Sequence, residues 1–143
     1  NNFANSNSSS EFNVVKLPFL KASEEISKMY GFEDYSLSPK PKKHLTSDQK
    51  IKFGNNSLEI LFCPGHSPGH ICLLCKKNNI LIAGDVVFKG SIGRTDLPGG
   101  NHQILIESIN KEIINLPNKT KIYSGHGPST LLLEEKKNNP FLK

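Results

Sequence analysis

The 143-residue sequence has no long apolar run, almost no arginine and no second pair of cysteines. Each absence removes a class of protein. A membrane span needs about eighteen or more consecutive apolar residues, and the longest runs here are of the size of Leu131 to Leu133. The start shows no apolar core of a signal peptide. The expectation is a chain with no membrane partner, cytoplasmic or in another reducing, soluble compartment. The net charge of +5 suggests nucleic acid, but seventeen of the eighteen basic residues are Lys and Arg94 is the only Arg. The lysines are scattered and form no stripe interleaved with aromatics. With abundant Asn and Ile they reflect the coding preferences of an AT-rich genome, so no nucleic-acid partner is expected. Cys72 and Cys75 form a CxxC, but a four-sulfur zinc site needs a second pair. On a strand over residues 70 to 76, positions three apart point to opposite faces, which favours core packing. Three free thiols also suit a reducing compartment. The only methionine is Met29 and the chain begins at Asn1, so a fragment, a processed chain or an incomplete gene model is expected.

The elements that remain form one layered α/β unit. "NNFANSNSSS" (1–10) is polar and low in complexity and reads as disordered, leaving 11–143 as the domain. "FNVVKLP" reads as a short strand. "ASEEISKMYG" reads as a short helix, with Ser23 as cap and Gly31 at the exit. "SLSPKPKK" is a loop, because Pro39 and Pro41 exclude regular ladders. In "KIKFGNNSLEILFC", Ile51 and Phe53 alternate with Lys, and Leu58, Ile60 and Phe62 alternate in turn. Gly54-Asn55-Asn56 supplies the bend, giving a hairpin with one buried face. "ICLLC" and "ILIAG" are strands joined by the turn Lys76 to Asn79. "HQILIESINKEIINL" has a helical period, opened by Asn101 and closed before Pro117. "KIYSG" is a last strand, and "STLLLEEKKNN" a last helix capped by Ser129 or Thr130.

The turns carry the chemistry. "CPGHSPGH", "AGD" and "SGHGP" each place a His or Asp just past a strand, in a Gly- or Pro-rich bend. His66 and His70 stand four apart, the spacing of a helical zinc pair, but Pro68 and Gly69 break any helix between them. One ligand from that turn is therefore expected. Asp85 ends an apolar strand, a costly place for a carboxylate unless positive charge faces it. A lone buried His or Asp is more often a satisfied structural group. Three in the same local setting imply a shared metal site at one edge of the sheet.

"CPGHSPGH", "AGDVVFKGSIGRTDLPGG" and "YSGHGPSTLLLEEKKNNPFL" resemble, in order, successive blocks of the metallo-β-lactamase-fold hydrolases. The small single-domain glyoxalase II-like enzymes (hydroxyacylglutathione hydrolases) are the nearest type. The resemblance covers residues 45–143 well and 11–44 loosely. It implies an αββα sandwich, of which this chain is the carboxy-terminal part, with two metals at the sheet edges, Zn2+ in most cases and Fe or Mn in some. By position His66 would bind the first metal, Asp85 would bridge, and His126 would bind the second, with His70 in a supporting or structural place. A metal-bridging hydroxide would attack a small-molecule thioester, with a glutathione conjugate as the candidate substrate. Arg94, Thr95 and Asp96 would lie near the substrate or brace the ligands, with Arg94 and Asp96 equally able to form an ion pair that fixes their loop. Lys89 could meet an anionic substrate or simply be solvated.

The sequence also departs from that pattern. The family's HxHxDH block is absent, and no His precedes residue 44. One terminal ligand per metal plus a bridge falls short of the three protein ligands of catalytic zinc. Weak metal binding, weak or no turnover by the isolated chain and exposed apolar surface are the expectations. Leu131-Leu132-Leu133 stands where the family commonly has Thr-Ile-Gly, which puts the start of the last helix in question. The helical domain that binds glutathione in larger glyoxalase II enzymes has no counterpart in this chain. Two further readings are a persulfide dioxygenase with one iron, which shares the "GRTD" loop, and a non-catalytic remnant or binding module.

Overall fold

The computed structural model describes residues 27–31, 45–46 and 49–142. The chain divides into two compact units, Asn1–Thr46 and Ser47–Lys143. In the first, residues 27–29 are helical and Gly31 follows at φ +79°, in agreement with the exit expected for "ASEEISKMYG". The polar start, the strand "FNVVKLP", the Ser23 cap and the proline loop lie outside the described residues.

In the second unit a six-stranded sheet runs in the order β1-β2-β3-β4-β7-β8. Its strands are β1 (Lys50–Phe53), β2 (Asn56–Phe62), β3 (Ile71–Cys75), β4 (Ile80–Gly84), β7 (Lys121–Ser124) and β8 (Thr130–Leu131). A separate small hairpin pairs β5 (Val87–Phe88) with β6 (Ser91–Ile92). The expected first hairpin closes on the pair Phe53↔Asn56, with Gly54 at φ +55° in the two-residue turn. Its burial is less than the alternation suggested. Phe53 is 73% exposed, because β1 is the sheet edge.

Pairing directions place the strand ends. β2 is antiparallel to β3 and β3 to β4, so β2 and β4 run the same way; β4 is parallel to β7. The carboxyl ends of β2, β4 and β7 therefore open at one edge, and after them come His66, Asp85 and His126.

Cross-strand neighbours share a face. One face carries Leu61, Cys72, Leu74, Leu81, Ala83 and Ile122, and joins a single core with Leu105, Ile109, Ile113 and Leu132. Those last residues come from helix α1 (His102–Glu112), the turn after it and helix α2 (Leu132–Asn138). The period read in α1 holds, with Leu105, Ser108 and Ile109 buried and Asn101 capping through its side chain, which accepts from the Ile104 N–H at 3.0 Å. The opposite face is apolar too, through Ile60, Leu73, Ile82 and Tyr123 along one row. The row is buried at Ile60, 3% exposed, and open at Ile82 and Tyr123, at 45% and 41%. An antiparallel sheet with one solvated face would alternate apolar with polar; this one does not.

Two expectations change. The last helix is not capped by Ser129 or Thr130: Leu131 precedes it without a side-chain cap. Thr130 is committed elsewhere, its backbone to the ladder opposite Ile122 and its hydroxyl to Glu135. Residues 87–92, for which the sequence suggests no element, form the β5–β6 hairpin. The cysteines behave as expected. Cys72 and Cys75 are both buried, and hydrogen bonding with Cys63, then burial, pushes the Cys72 thiol strongly up. Among the described residues no helix is long and apolar enough to cross a membrane.

Candidate metal centre

The turn after β2 is tied down at both ends. The Cys63 N–H donates to the His70 carbonyl at 2.9 Å, and the Asn101 N–H donates to the Gly65 carbonyl at 2.7 Å. Ser108 of α1 adds its hydroxyl, 2.9 Å from the Pro64 carbonyl. The start of α1 thereby holds the turn that presents His66.

Three side chains meet at this edge. His66 Nε2 lies 3.5 Å from Asp85 Oδ2, and His126 Nε2 lies 3.4 Å from the same oxygen. The other ring nitrogen of His66 is spoken for: Nδ1–H donates to the Arg94 carbonyl at 2.8 Å. That bond fixes the tautomer of a neutral ring and leaves the Nε2 lone pair facing the carboxylate. Two lone pairs so placed repel unless positive charge joins them, as a proton or as a metal ion. Zinc donors at about 2.0–2.1 Å in a tetrahedron stand about 3.4 Å apart, which matches both separations. The donor chemistry fits a divalent cation on either side of Asp85.

The set is also incomplete. Among the described residues no group of three or more His, Cys, Asp or Glu side chains could enclose one ion. Each side of Asp85 has one imidazole and the shared carboxylate, as the sequence implied.

His70 is brought close without joining. Its ring packs edge-on against His66 at 5.8 Å, and its Nε2–H donates to the Ala83 carbonyl at 3.3 Å. Pro68 and Gly69 break the helical relation that the spacing would allow, and the two rings make different contacts. Arg94 and Asp96 form a two-point ion pair on the surface, Nε to Oδ1 at 2.8 Å and Nη2 to Oδ2 at 2.7 Å. Their side chains are 62% and 67% exposed. The guanidinium holds the Asp96 carboxyl down at about 2. Arg94 reaches the site through its backbone carbonyl, while its side chain braces the loop.

Two contributors were missed. Phe88 stacks on His126 at 5.9 Å between ring centres, with planes 25° apart. Nothing in "VVFKG" announces that contact, because it depends on the unforeseen hairpin. Gly125 is the second. A Cβ there would overlap Asp85 Oδ1, so a side chain at this position would occupy the space of the carboxylate. The Gly in "SGHGP" was read only as punctuation.

A mixed sheet whose helices share one core carries His and Asp side chains, the donor types of a metal site, at its carboxyl edge. Residues 13–126 match the metallo-beta-lactamase superfamily, and the chain belongs to it. It is 47% identical over 107 residues to the probable metallo-hydrolase YqgX of Bacillus subtilis, covering 74% of this chain and 51% of that protein. It is 42% identical over 92 residues to the hydroxyacylglutathione hydrolase GloC of Haemophilus influenzae, covering 64% of this chain and 43% of that one. Among solved structures, TTHA1623 in a di-iron-bound form superposes with a TM-score of 0.76 at 34% identity, over 88% of this chain and 61% of its own. The chain spans about half the length of the curated relatives it matches. The expected αββα class is thus the fold of its relatives, represented here in part.

Proposed function

We propose that this chain carries part of the active site of a metal-dependent thioester hydrolase of the hydroxyacylglutathione type. The observation that carries the reading is the sharing of Asp85 Oδ2 by His66 Nε2 and His126 Nε2. In it, His66 and His126 would each hold one cation, with Asp85 shared between them. Zinc or iron fits the imidazole and carboxylate donors, and one of the solved relatives is a di-iron form. When bound, the cations supply Lewis acidity and a nucleophile at neutral pH, since coordination lowers the pKa of water to about 7.

The chain's own groups do the rest. The Arg94 carbonyl orients His66 through Nδ1. The Arg94–Asp96 pair stiffens the loop that borders the substrate. Phe88 stacks on one face of His126 and limits its rotation. A thiol leaves with a pKa near 8.5, so little protonation by the protein is needed. This favours a thioester over an amide, whose leaving group needs protonation. Similarity to GloC points to a glutathione thioester as substrate.

A persulfide dioxygenase with one iron would leave His126 without a metal, and the contact of His126 with Asp85 favours the two-metal reading. The test is hydrolysis of S-lactoylglutathione by the full-length protein supplied with zinc or iron, together with metal analysis. Turnover with two metals per chain is expected. No turnover of any thioester with either metal would remove the proposal, and one iron per chain would favour the dioxygenase.

A further inference from the structure

We propose that Glu135, on the last helix, and Asn139, the residue just after it, are positioning residues for the metal centre: they fix the 85–94 segment with its hairpin, which touches all three donor side chains. The segment begins with Asp85 itself. Its Phe88 stacks on His126. It ends at Arg94, whose carbonyl accepts from His66. Whatever sets the place of this segment sets the relation of the three donors.

The hairpin cannot set its own place. Its ladder has two residues in each strand, with the pairs Val87↔Ile92 and Phe88↔Ser91. A two-stranded hairpin of this size has little stability alone. Ser124 pins one side, its hydroxyl donating to the Val87 carbonyl at 2.6 Å. The tip is held from α2. Glu135 Oε2 accepts from the Gly90 N–H at 2.8 Å, and Asn139 Nδ2 donates to the Ser91 carbonyl at 3.0 Å and lies 3.4 Å from that of Phe88. The two side chains also bond each other, Asn139 Nδ2 to Glu135 Oε2 at 2.8 Å. Thr130 donates to Glu135 Oε1, and Asn139 Oδ1 accepts from the Phe141 N–H.

Both residues are nearly sealed from water, Glu135 at 2% and Asn139 at 0% exposure. Burying a carboxylate and an amide costs stability relative to apolar residues of equal volume. Apolar contacts would allow the tip to slide; bonds to one N–H and two carbonyls fix its position and its register. The functional meaning rests on the metal-centre reading above, but the coupling of α2 to the histidines does not.

The experiment reads the full chain in two ways: imidazole nitrogen signals of His66 and His126 by NMR without metal, and zinc affinity by competition with a chromophoric chelator. Asn139→Asp keeps the shape but turns an oxygen toward the carbonyls of Phe88 and Ser91 and toward Glu135. It is expected to shift the His66 Nδ1 signal and to weaken zinc binding about tenfold or more. Glu135→Gln can rebuild every bond, its amide oxygen accepting from Gly90 and Asn139 and its NH2 donating to Thr130. It is expected to match the parent in both measurements. Ile113→Val, a core change away from the network, is expected to move neither. Parent-like signals and affinity in Asn139→Asp would overturn the proposal, as would equal shifts in Ile113→Val. Should Asn139→Asp fail to fold, Thr130→Val removes only the donor to Glu135; smaller shifts of the same signals support the proposal and unmoved signals overturn it. A parent chain that binds no zinc would count against the metal reading, while the metal-free imidazole signals would still decide the coupling.

Discussion

Gly125→Ala separates the site from the fold. A methyl at this position would overlap Asp85 Oδ1, where carbon and oxygen normally stay about 3.3 Å apart. The carboxylate lies at the end of β4 and is bounded on its other side by His66 and His126, both facing Oδ2. It must rotate or withdraw, and either motion disturbs both imidazole contacts together. Displaced or reoriented donors lower metal affinity by about 10- to 100-fold, which is about 1.4–2.8 kcal/mol of binding. Folding should barely respond, because Gly125 is not in the left-handed region, its surroundings are exposed, and Ala reduces the freedom of the unfolded chain by about 0.4–1 kcal/mol. Gly54→Ala is the converse. Gly54 turns the first hairpin at φ +55° with open space around it, so an added methyl strains the backbone by about 1 kcal/mol and leaves the site alone. Zinc titration and thermal melts of both variants give the comparison. Parent-like zinc affinity in Gly125→Ala, with melting unchanged, would show that Asp85 is not part of the binding set.

Two other outcomes follow from the packing and the charges. Leu81 and Ile82 are neighbours on β4, one fully buried and one 45% exposed, so Leu81→Ala should cost about 2–5 kcal/mol and Ile82→Ala about 1 kcal/mol in denaturant melts; equal costs would mean that both sheet faces are covered. The Asp96 carboxyl is held at about 2, below its ordinary 3.8, by the Arg94 guanidinium, so the pair stabilises the loop above pH 3.8 and that contribution is lost as the pH falls through 2; Arg94→Ala should return the Asp96 titration, followed by NMR, to the ordinary carboxylate range.

Much of the fold could be read because local rules agreed with the global arrangement. Alternation in "SLEILF" and "ILIAG", the Gly54 bend and the Asn101 cap each fixed an element without help from elsewhere. The failures share a cause. Ser129 or Thr130 was the expected cap because a hydroxyl residue stands just before the helix; the Thr130 hydroxyl instead serves Glu135, five residues on, across a strand-to-helix switch. The β5–β6 hairpin was invisible because two residues per strand carry no period, and its support comes from α2, more than forty residues later. Phe53 was placed inside because alternation reports which face a residue occupies, not whether another layer covers that face.

The site was legible for a different reason. Each donor sits in the turn just past a strand end, and three strands running one way bring three such turns to one edge. Direction was not written in the sequence, but the repeated pattern of strand, glycine and donor was, and convergence is what makes such a repeat useful. What supports the donors was not legible, since a backbone carbonyl on His66 and a missing side chain at Gly125 leave no mark on residue identity beyond Arg and Gly. The same topology explains why the described residues supply only part of a metal site. An edge built from β2, β4 and β7 presents one side chain per turn, so it can offer Asp85 one imidazole on each side. In the two-metal reading, further ligands would come from outside the described residues.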